Sequence, residues 1–217
     1  IDQIQDADTT RESAMAKVDF KKTLKHLYRP SKSQFSIVDV PKMQFLMVDG
    51  HGDPNTSPDY TAAVEALYAV AYKAKFLAKQ DAATDDYVVP PLEGLWWAAD
   101  MDTFISGDKS AWDWTMMIMQ PDWITPELIA TASADAATKK ALPALDKLRL
   151  APYHEGLAVQ ILYIGSYDDE APTIERMHTF ARDEGYELAG KHHEIYLSDP
   201  RRTAPEKLKT VIRQPLS

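Results

Sequence analysis

A chain of 217 residues, 45% of them hydrophobic, can bury a sizeable core as one large domain or as two fused small ones. It contains no cysteine, which excludes disulfides, thiolate nucleophiles and zinc–thiolate sites and fits a reducing compartment such as the cytoplasm. The net charge of −9 argues against nucleic acid as a main partner, and no apolar run reaches the length of a membrane-spanning helix.

The first 16 residues, IDQIQDADTTRESAMA, are polar and acidic. They lack the basic-then-apolar order of a signal peptide. We expect residues 1–16 to be a leader or a remnant of expression, followed by a single domain over residues 17–217.

The first half of the chain alternates helical and strand patterns. The stretch DFKKTLKHLYRP predicts a short helix that Asp19 caps and Pro30 ends. Two strands follow around Pro41, and Ser57 with Pro58 marks the start of a long helix. The stretches PLEGLWWAAD and AWDWTMMIMQ predict two further strands.

The second half begins with a helical segment over about residues 125–148, which Thr125 caps, Pro126 begins and Pro143 splits or ends. The stretch GLAVQILYIGSY then predicts a strand, and DDEAPTIERMHTFARDEGY predicts a helix. The last two strands are predicted in KHHEIYLSDP and LKTVIRQPL.

The order strand, helix, strand, strand therefore occurs twice, over about residues 34–122 and 150–217. GLWWAAD also aligns without gaps on HEIYLSD, which matches Trp97 with Tyr196. We predict an α+β domain made of a duplicated βαββ repeat, with two antiparallel sheets and their backing helices around a pseudo-twofold groove. That groove is the natural place for a ligand.

A glutamate stands in the middle of the predicted strand KHHEIYLSDP, where carboxylates are disfavoured and costly to bury unpaired. Because strand side chains alternate, His192, Glu194 and Tyr196 share one face, which we expect to line the groove. A partly desolvated Glu194 would have a raised pKa and could act as a general base or acid, or hold a cationic ligand. The alternative is a structural carboxylate bonded to a nearby arginine or tyrosine.

Glu155 is the second candidate, because it lies just before the first strand of the second repeat. Two carboxylates in unlike environments can divide the acid and base roles. A solvated loop glutamate explains the same residue equally well.

Aromatic side chains with polar tips are dense in this chain and suit a flat aromatic ligand, although most aromatic residues in proteins belong to cores. The predicted ligand-binding residues are Tyr68, Tyr87, Trp97, Trp112, Tyr153, Tyr163, His192 and Tyr196. His192 and Glu194 are close enough along a strand to reach one ion, but no metalloenzyme spacing is present, so we predict no metal and no cofactor.

The segment from Val159 to Leu216 resembles the GyrI-like small-molecule-binding domains. That family has a strand ending in Gly-x-Tyr, a helix, a strand with a central Glu, a Pro-rich turn and a last strand ending near Pro. The matching residues here are Gly165, Tyr167, Glu194, Pro200, Pro205 and Pro215. The N-terminal half looks like a degenerate partner repeat, so the resemblance extends over about residues 35–217.

The family includes ligand domains of multidrug-responsive transcription regulators, whose central Glu meets cationic aromatic drugs, and free-standing proteins similar to cyclopropanoid hydrolases. DFKKTLKHLYRP is one helix and not a helix-turn-helix, so the chain looks like a free-standing member. The resemblance implies a detoxifying hydrolase that opens the strained cyclopropane of DNA-alkylating compounds, and by their chemistry Glu194 and Glu155 would handle the protons. The alternatives are a non-catalytic multidrug-binding or sequestering protein, or a gyrase-inhibitor-like modulator.

Overall fold

A computed structural model describes residues 17–81, 84–99 and 108–217, so the predicted leader over residues 1–16 lies outside the described residues. The helices are α1 (Phe20–Thr23), α2 (Lys25–Tyr28), α3 (Pro58–Gln80), α4 (Pro126–Lys139) and α5 (Ala171–Asp183). The strands are β1 (Ser36–Val40), β2 (Met43–His51), β3 (Leu92–Ala98), β4 (Trp112–Gln120), β5 (Arg149–Tyr153), β6 (Gly156–Ile164), β7 (His192–Tyr196) and β8 (Lys209–Pro215).

Helix ends follow the caps that the sequence predicts, with two differences. The Asp19 side chain caps α1, and Thr125 Oγ1 accepts a hydrogen bond from the Leu128 N–H at the start of α4. The first predicted helix is divided at Leu24 into α1 and α2. The segment predicted over residues 125–148 is helical only to Lys139, followed by a short 3-10 turn before β5.

The strands form one open antiparallel sheet in the order β1-β6-β8-β7-β3-β4-β2-β5. The α+β architecture predicted from the sequence is therefore confirmed. The two expected sheets are continuous with each other, because β7 and β3 pair edge to edge from Leu92 opposite Tyr196 to Trp96 opposite His192. This pairing is where the two halves of the sheet meet.

The first strand of each half crosses to the other half. Strand β1 pairs with β6, and β5 pairs with β2. Both halves open with a strand of five residues followed by one of nine residues. We infer that the repeated unit is ββαββ, one strand longer than the predicted βαββ, with its pseudo-twofold axis between β3 and β7.

The two faces of the sheet carry different elements. Helix α3 packs on residues such as Leu46 and Met116, and α5 packs on the same face through Met177 against Ile212. The opposite face is covered in part by α2, whose Leu27 belongs to a separate apolar cluster. Helices α3 and α5 thus lie on the same face of the sheet, α3 on the half that contains β2 and β4 and α5 on the half that contains β6 and β8.

Small side chains set how closely α3 can approach its neighbours. Its fully buried alanines are Ala63, Ala66, Ala71, Ala74 and Ala78. Helix α4 packs against α3 in the same cluster through Ile129, so larger side chains at these alanines would overpack the interface. Among the described residues, no helix combines the length and the apolar character needed to cross a membrane.

Candidate active site

Glu194 lies at the centre of β7, directly opposite Gly94 of β3, at the junction between the halves. Its other neighbour across the sheet is Ile212, which packs against α5. Since directly opposed side chains share a face, Glu194 points to the face that carries α3 and α5. It is 9% exposed, which leaves the carboxylate in limited contact with solvent.

Three neighbours donate hydrogen bonds to Glu194. His192 Nε2 lies 3.2 Å from Oε1, and the Tyr196 hydroxyl donates to Oε2 at 2.8 Å. The third is the carboxyl of Glu170. Burial by itself would raise the pKa of Glu194, but these hydrogen bonds and the charge of His192 outweigh burial and lower it. Glu194 is therefore ionised at neutral pH, contrary to the raised pKa that its position in a strand predicts.

Glu170, the residue before α5, holds the complementary protonation state. Burial, the negative charge of Glu194 and the hydrogen bond between the two carboxyls all raise the pKa of Glu170. Its side chain is also buried, with 9% of the residue exposed. Burial and the neighbouring charge therefore favour a protonated Glu170 beside an ionised Glu194.

Sequence reasoning missed Glu170. Its only signal is the acidic run DDE before the helix that has Pro172 in its first turn, and acidic residues at helix N-termini usually serve the helix dipole. Here the Glu170 side chain makes no capping hydrogen bond. Only the packing of α5 on the sheet brings it to Glu194, and no pattern in the sequence reports that contact.

Aromatic rings surround the carboxyl pair. Trp96 Nε1 donates to the Tyr196 hydroxyl at 3.0 Å, which extends the hydrogen-bond chain that ends on Glu194. Tyr60 of α3 stacks on Trp96 with ring centroids 6.1 Å apart, and Trp112 meets Trp96 edge-on at 5.8 Å. Tyr167 meets Tyr196 edge-on at 5.7 Å. These rings form a wall of flat surfaces with hydroxyl and indole groups beside the glutamates.

Gly94 makes room for this wall. A Cβ at this position would lie 2.7 Å from Trp96 Nε1 and 3.1 Å from the Tyr196 hydroxyl. The missing side chain opposite Glu194 therefore allows the indole and the phenol to meet in front of the carboxylate.

Several predicted ligand-binding residues lie at this wall. His192 and Tyr196 bond Glu194, and Trp112 contacts Trp96. Tyr68 of α3 is half-buried, and it is close enough to Tyr60 and Tyr167 to help raise the pKa of each. The structure therefore brings four of the eight predicted positions to the carboxyl pair.

Of the other four, only Tyr163 lies near the pair, since burial and then the charge of Glu170 raise its pKa. Trp97 and Tyr153 pack in an apolar cluster on the opposite face of the sheet. Tyr87 is fully buried and donates to Gln120 at 3.2 Å, and the Tyr163 hydroxyl donates to the Ser166 carbonyl at 3.0 Å. Within the described part of the chain, no hydrogen bond joins any of these four side chains to Glu194 or Glu170.

The alignment of Trp97 with Tyr196 is wrong by one residue. In the structure Trp96 bonds Tyr196, whereas Trp97 points to the other face, with Lys191 Nζ 3.2 Å from its ring centroid. A register difference of one residue exchanges the two faces of a strand. Trp96 is therefore the site residue that the sequence alignment missed.

Glu155 also lies on the opposite face from Glu194. Its carboxylate bonds His193 Nδ1 at 2.9 Å and Arg213 at 3.0 Å, and its side chain is 2% exposed. Burial would raise the pKa of Glu155, but the charges of His193 and Arg213 outweigh burial and lower it to about 2. The structure thus does not bring the two predicted carboxylates to one site, and Glu155 is held ionised in an ion-pair network.

Two further observations bear on other kinds of site. In residues 17–81, 84–99 and 108–217, no three His, Asp or Glu side chains are grouped as metal ligands. A cavity of about 440 Å³ lies between α4 and residues 145–150, away from the glutamates, and its only acidic lining residue is Asp146.

Several proteins of known structure are similar to this chain. A hydrolase from Listeria innocua is 40% identical, with a TM-score of 0.82, and the match covers 93% of this chain and 100% of that chain. An uncharacterized conserved protein from Listeria innocua is 41% identical over the same shares, with a TM-score of 0.86. The C-terminal domain of EcmrR shares the fold at 12% identity and a TM-score of 0.53, over 85% of this chain and 97% of that chain.

A search of curated proteins found no match. The GyrI-like small molecule binding domain matches residues 33–217, which includes the whole sheet, both flanking helices and both glutamates. The expected resemblance is therefore confirmed, and the chain belongs to the family of GyrI-like small-molecule-binding domains.

Proposed function

We propose that this protein is a hydrolase that adds water to a strained, electrophilic ring of a flat aromatic molecule, such as the cyclopropane of a DNA-alkylating cyclopropanoid. The observation that carries the proposal is the pair of neighbouring buried carboxyls, Glu170 and Glu194, which favour opposite protonation states beside a wall of aromatic rings. The similarity to a hydrolase at 40% identity supports the same reaction class.

The pair supplies the base and the acid that such a reaction needs. Glu194, ionised, accepts a proton from water while the water oxygen bonds to a cyclopropane CH₂. The ring C–C bond breaks, and its electron pair passes through the conjugated ring to the carbonyl oxygen of the substrate. Glu170, protonated, gives its proton to that oxygen, so that a phenol forms.

The hydrogen bond between the two carboxyls then restores the starting state. After one turnover Glu194 carries the proton taken from water and Glu170 is ionised. Transfer of that proton along their existing hydrogen bond returns it to Glu170, because burial and the donors around Glu194 favour that arrangement.

The aromatic wall explains the expected shape of the substrate. The partly exposed rings of Tyr60, Tyr167 and Tyr196 offer flat faces for a planar ring system, and positioning of a strained ring next to a base supplies much of the rate. The proposed role is protection of the cell from such alkylating compounds.

Incubation with the parent spirocyclopropyl cyclohexadienone in ¹⁸O-labelled water tests the reaction. The expected product is hydroxyethylphenol that has gained one water and carries the label on the alkyl hydroxyl, at a rate above the solution reaction. A product that forms no faster than in buffer, with the compound shown to bind, would leave the protein a binder.

A non-catalytic binding role is the second candidate, because a buried carboxylate among aromatic rings also suits a planar cation. Titration of proflavine, a planar cation, against neutral anthracene distinguishes the two uses. Tight binding of proflavine that depends on Glu194, without turnover of the dienone, would favour drug sequestration.

A further inference from the structure

A network of buried charged groups lies directly behind the site, on the other face of the sheet. The His193 ring lies between two carboxylates, with Nε2 3.0 Å from Glu93 and Nδ1 2.9 Å from Glu155. Arg213 donates to the second oxygen of Glu155 at 3.0 Å. The four side chains are only 1–2% exposed, so two positive and two negative groups compensate one another away from water.

Helix α2 completes this network. The Tyr28 hydroxyl donates to Glu93 at 2.9 Å, and Arg213 Nη2 donates to the Leu27 carbonyl at 2.8 Å. Tyr28 and Leu27 are themselves almost fully buried. Because the family match begins at residue 33, α2 precedes the matched domain and still supplies two partners to the back of its site.

The network and the site share the same two strands. Glu93 is followed by Gly94, the residue opposite Glu194, and His193 stands between His192 and Glu194. Successive strand residues point to opposite faces, so Glu93 and His193 are each joined by one peptide bond to a residue of the site. A backbone shift that loosens Glu93 or His193 therefore moves the site face by a similar distance.

We propose that the α2-anchored network positions Glu194 against Glu170, with Tyr28 and Arg213 as positioning residues. Glu194 is held by β7 and Glu170 by α5, so their opposite protonation states depend on the relative placement of two elements. A displacement of about 1 Å can lower a rate by about 100-fold. The inference rests on the proposed reaction only for its kinetic readout, since the titration of the two carboxyls is measurable without a substrate.

Tyr28→Phe removes one hydroxyl and keeps the ring, and Arg213→Lys keeps the charge but loses the fork that joins Glu155 to Leu27. Thr115→Val is the matched control, because it deletes a buried hydroxyl that bonds Asp49 at 2.7 Å on the same face, away from the network. Carbon NMR titration of the glutamate carboxyls in the ligand-free proteins reports their protonation states, with Glu194→Gln used to assign the signals. Turnover of the spirocyclopropyl dienone per folded molecule gives kcat and KM.

The expected result is a changed titration of the Glu170 and Glu194 signals in Tyr28→Phe and Arg213→Lys, with an unchanged titration in Thr115→Val. We also expect kcat to fall by about 10-fold or more in the first two variants while KM stays similar, since alignment and not contact is lost. If all three variants lose only stability and keep the parent titration, the network is structural and the proposal is overturned. If the parent shows no turnover, the hydrolase proposal fails, and the titration alone still decides the positioning role.

Discussion

At the scale of single residues, two side chains of the same type hold opposite protonation states because their neighbours differ. Glu194 accepts hydrogen bonds from His192, Tyr196 and Glu170, and these donors favour its charged form. Burial and the charge of Glu194 both oppose the ionisation of Glu170. A pair of titrating groups with divergent environments is the arrangement in which acid and base roles separate.

Gly94 is the residue whose replacement tests the wall most selectively. In Gly94→Ala the new methyl group would lie 2.7 Å from Trp96 Nε1, so the indole has to move away from Tyr196. We expect a loss of about 1–3 kcal/mol of stability, the usual cost of overpacking, together with weaker binding of a planar ligand. Urea unfolding and tryptophan fluorescence measure the two effects.

A second substitution separates this clash from a general effect on β3. Trp96→Phe removes the five-membered ring that carries Nε1 and makes space for the methyl group. Gly94→Ala combined with Trp96→Phe should therefore cost less stability than the sum of the two single substitutions. Additive costs in the double variant would contradict a direct contact between the new methyl group and the indole.

At the scale of elements, the site depends on where α5 lies on the sheet. Strand β7 carries Glu194 and α5 begins beside Glu170, so the contact between the two glutamates is a contact between a strand and a helix. The contact is maintained by the apolar cluster in which Met177 of α5 packs on Ile212 of β8.

Met177→Ala tests this packing, because the side chain is fully buried. We expect a loss of about 2–5 kcal/mol from the missing contacts and the cavity left behind. Ile174→Ala, on the same helix but only partly buried, is the control and should cost less. Urea denaturation gives both values, and equal losses would argue that α5 does not pack through Met177 as described.

The sequence predicts the elements well and their faces less well. The long helix from Pro58 and the glutamate-bearing strand follow from local patterns, caps and alternation. The choice of Trp97 over Trp96 fails because an alignment shifted by one residue exchanges the faces of a strand. Glu155 was linked to Glu194 by chain position alone, and the strand swap places it on the far side of the sheet.

At the scale of the whole molecule, the two faces of one sheet carry two groups of buried charges. One face holds the two glutamates of the site, and the other holds the network of His193, Glu155, Glu93 and Arg213. Neither group could be foreseen in full from the sequence, because each joins residues from distant parts of the chain. The N-terminal helix α2, outside the family match, was predicted only as a short amphipathic helix.

The network makes stability depend on pH. Burial opposes the charge on His193, but Glu155 and Glu93 outweigh burial and raise its pKa from 6.5 to about 9. A raised folded-state pKa contributes stability that is complete below about pH 6.5 and is lost as the pH rises through about 9. The lowered pKa of Glu155 contributes stability that is complete above 4.5 and is lost as the pH falls towards about 2.

The pKa shift of His193 and the pKa shift of Glu155 each correspond to about 3 kcal/mol of stability. The two contributions are not additive, because they arise from the same ion pair. The free energy of unfolding should therefore have a maximum near about pH 5.5 and decline on both sides. Urea unfolding at several pH values measures this, and His193→Gln should lessen the alkaline decline without abolishing it, because the raised pKa of the Glu170 carboxyl also lowers stability as the pH rises. Stability that increases steadily from about pH 6 to pH 9 would contradict the assignment of a charged, buried His193.

The central claim is that Glu194 and Glu170 act as the base and the acid of one hydrolytic reaction. The most direct test is turnover of the spirocyclopropyl dienone by Glu194→Gln and by Glu170→Gln. The control is Glu175→Gln, which changes an exposed glutamate of α5. We predict a fall in kcat of about 100-fold or more in each of the first two variants, the usual scale for a positioned acid or base, with normal folding and little change in binding of hydroxyethylphenol. Folded Glu194→Gln and Glu170→Gln proteins that turn over the dienone as fast as Glu175→Gln would contradict the account.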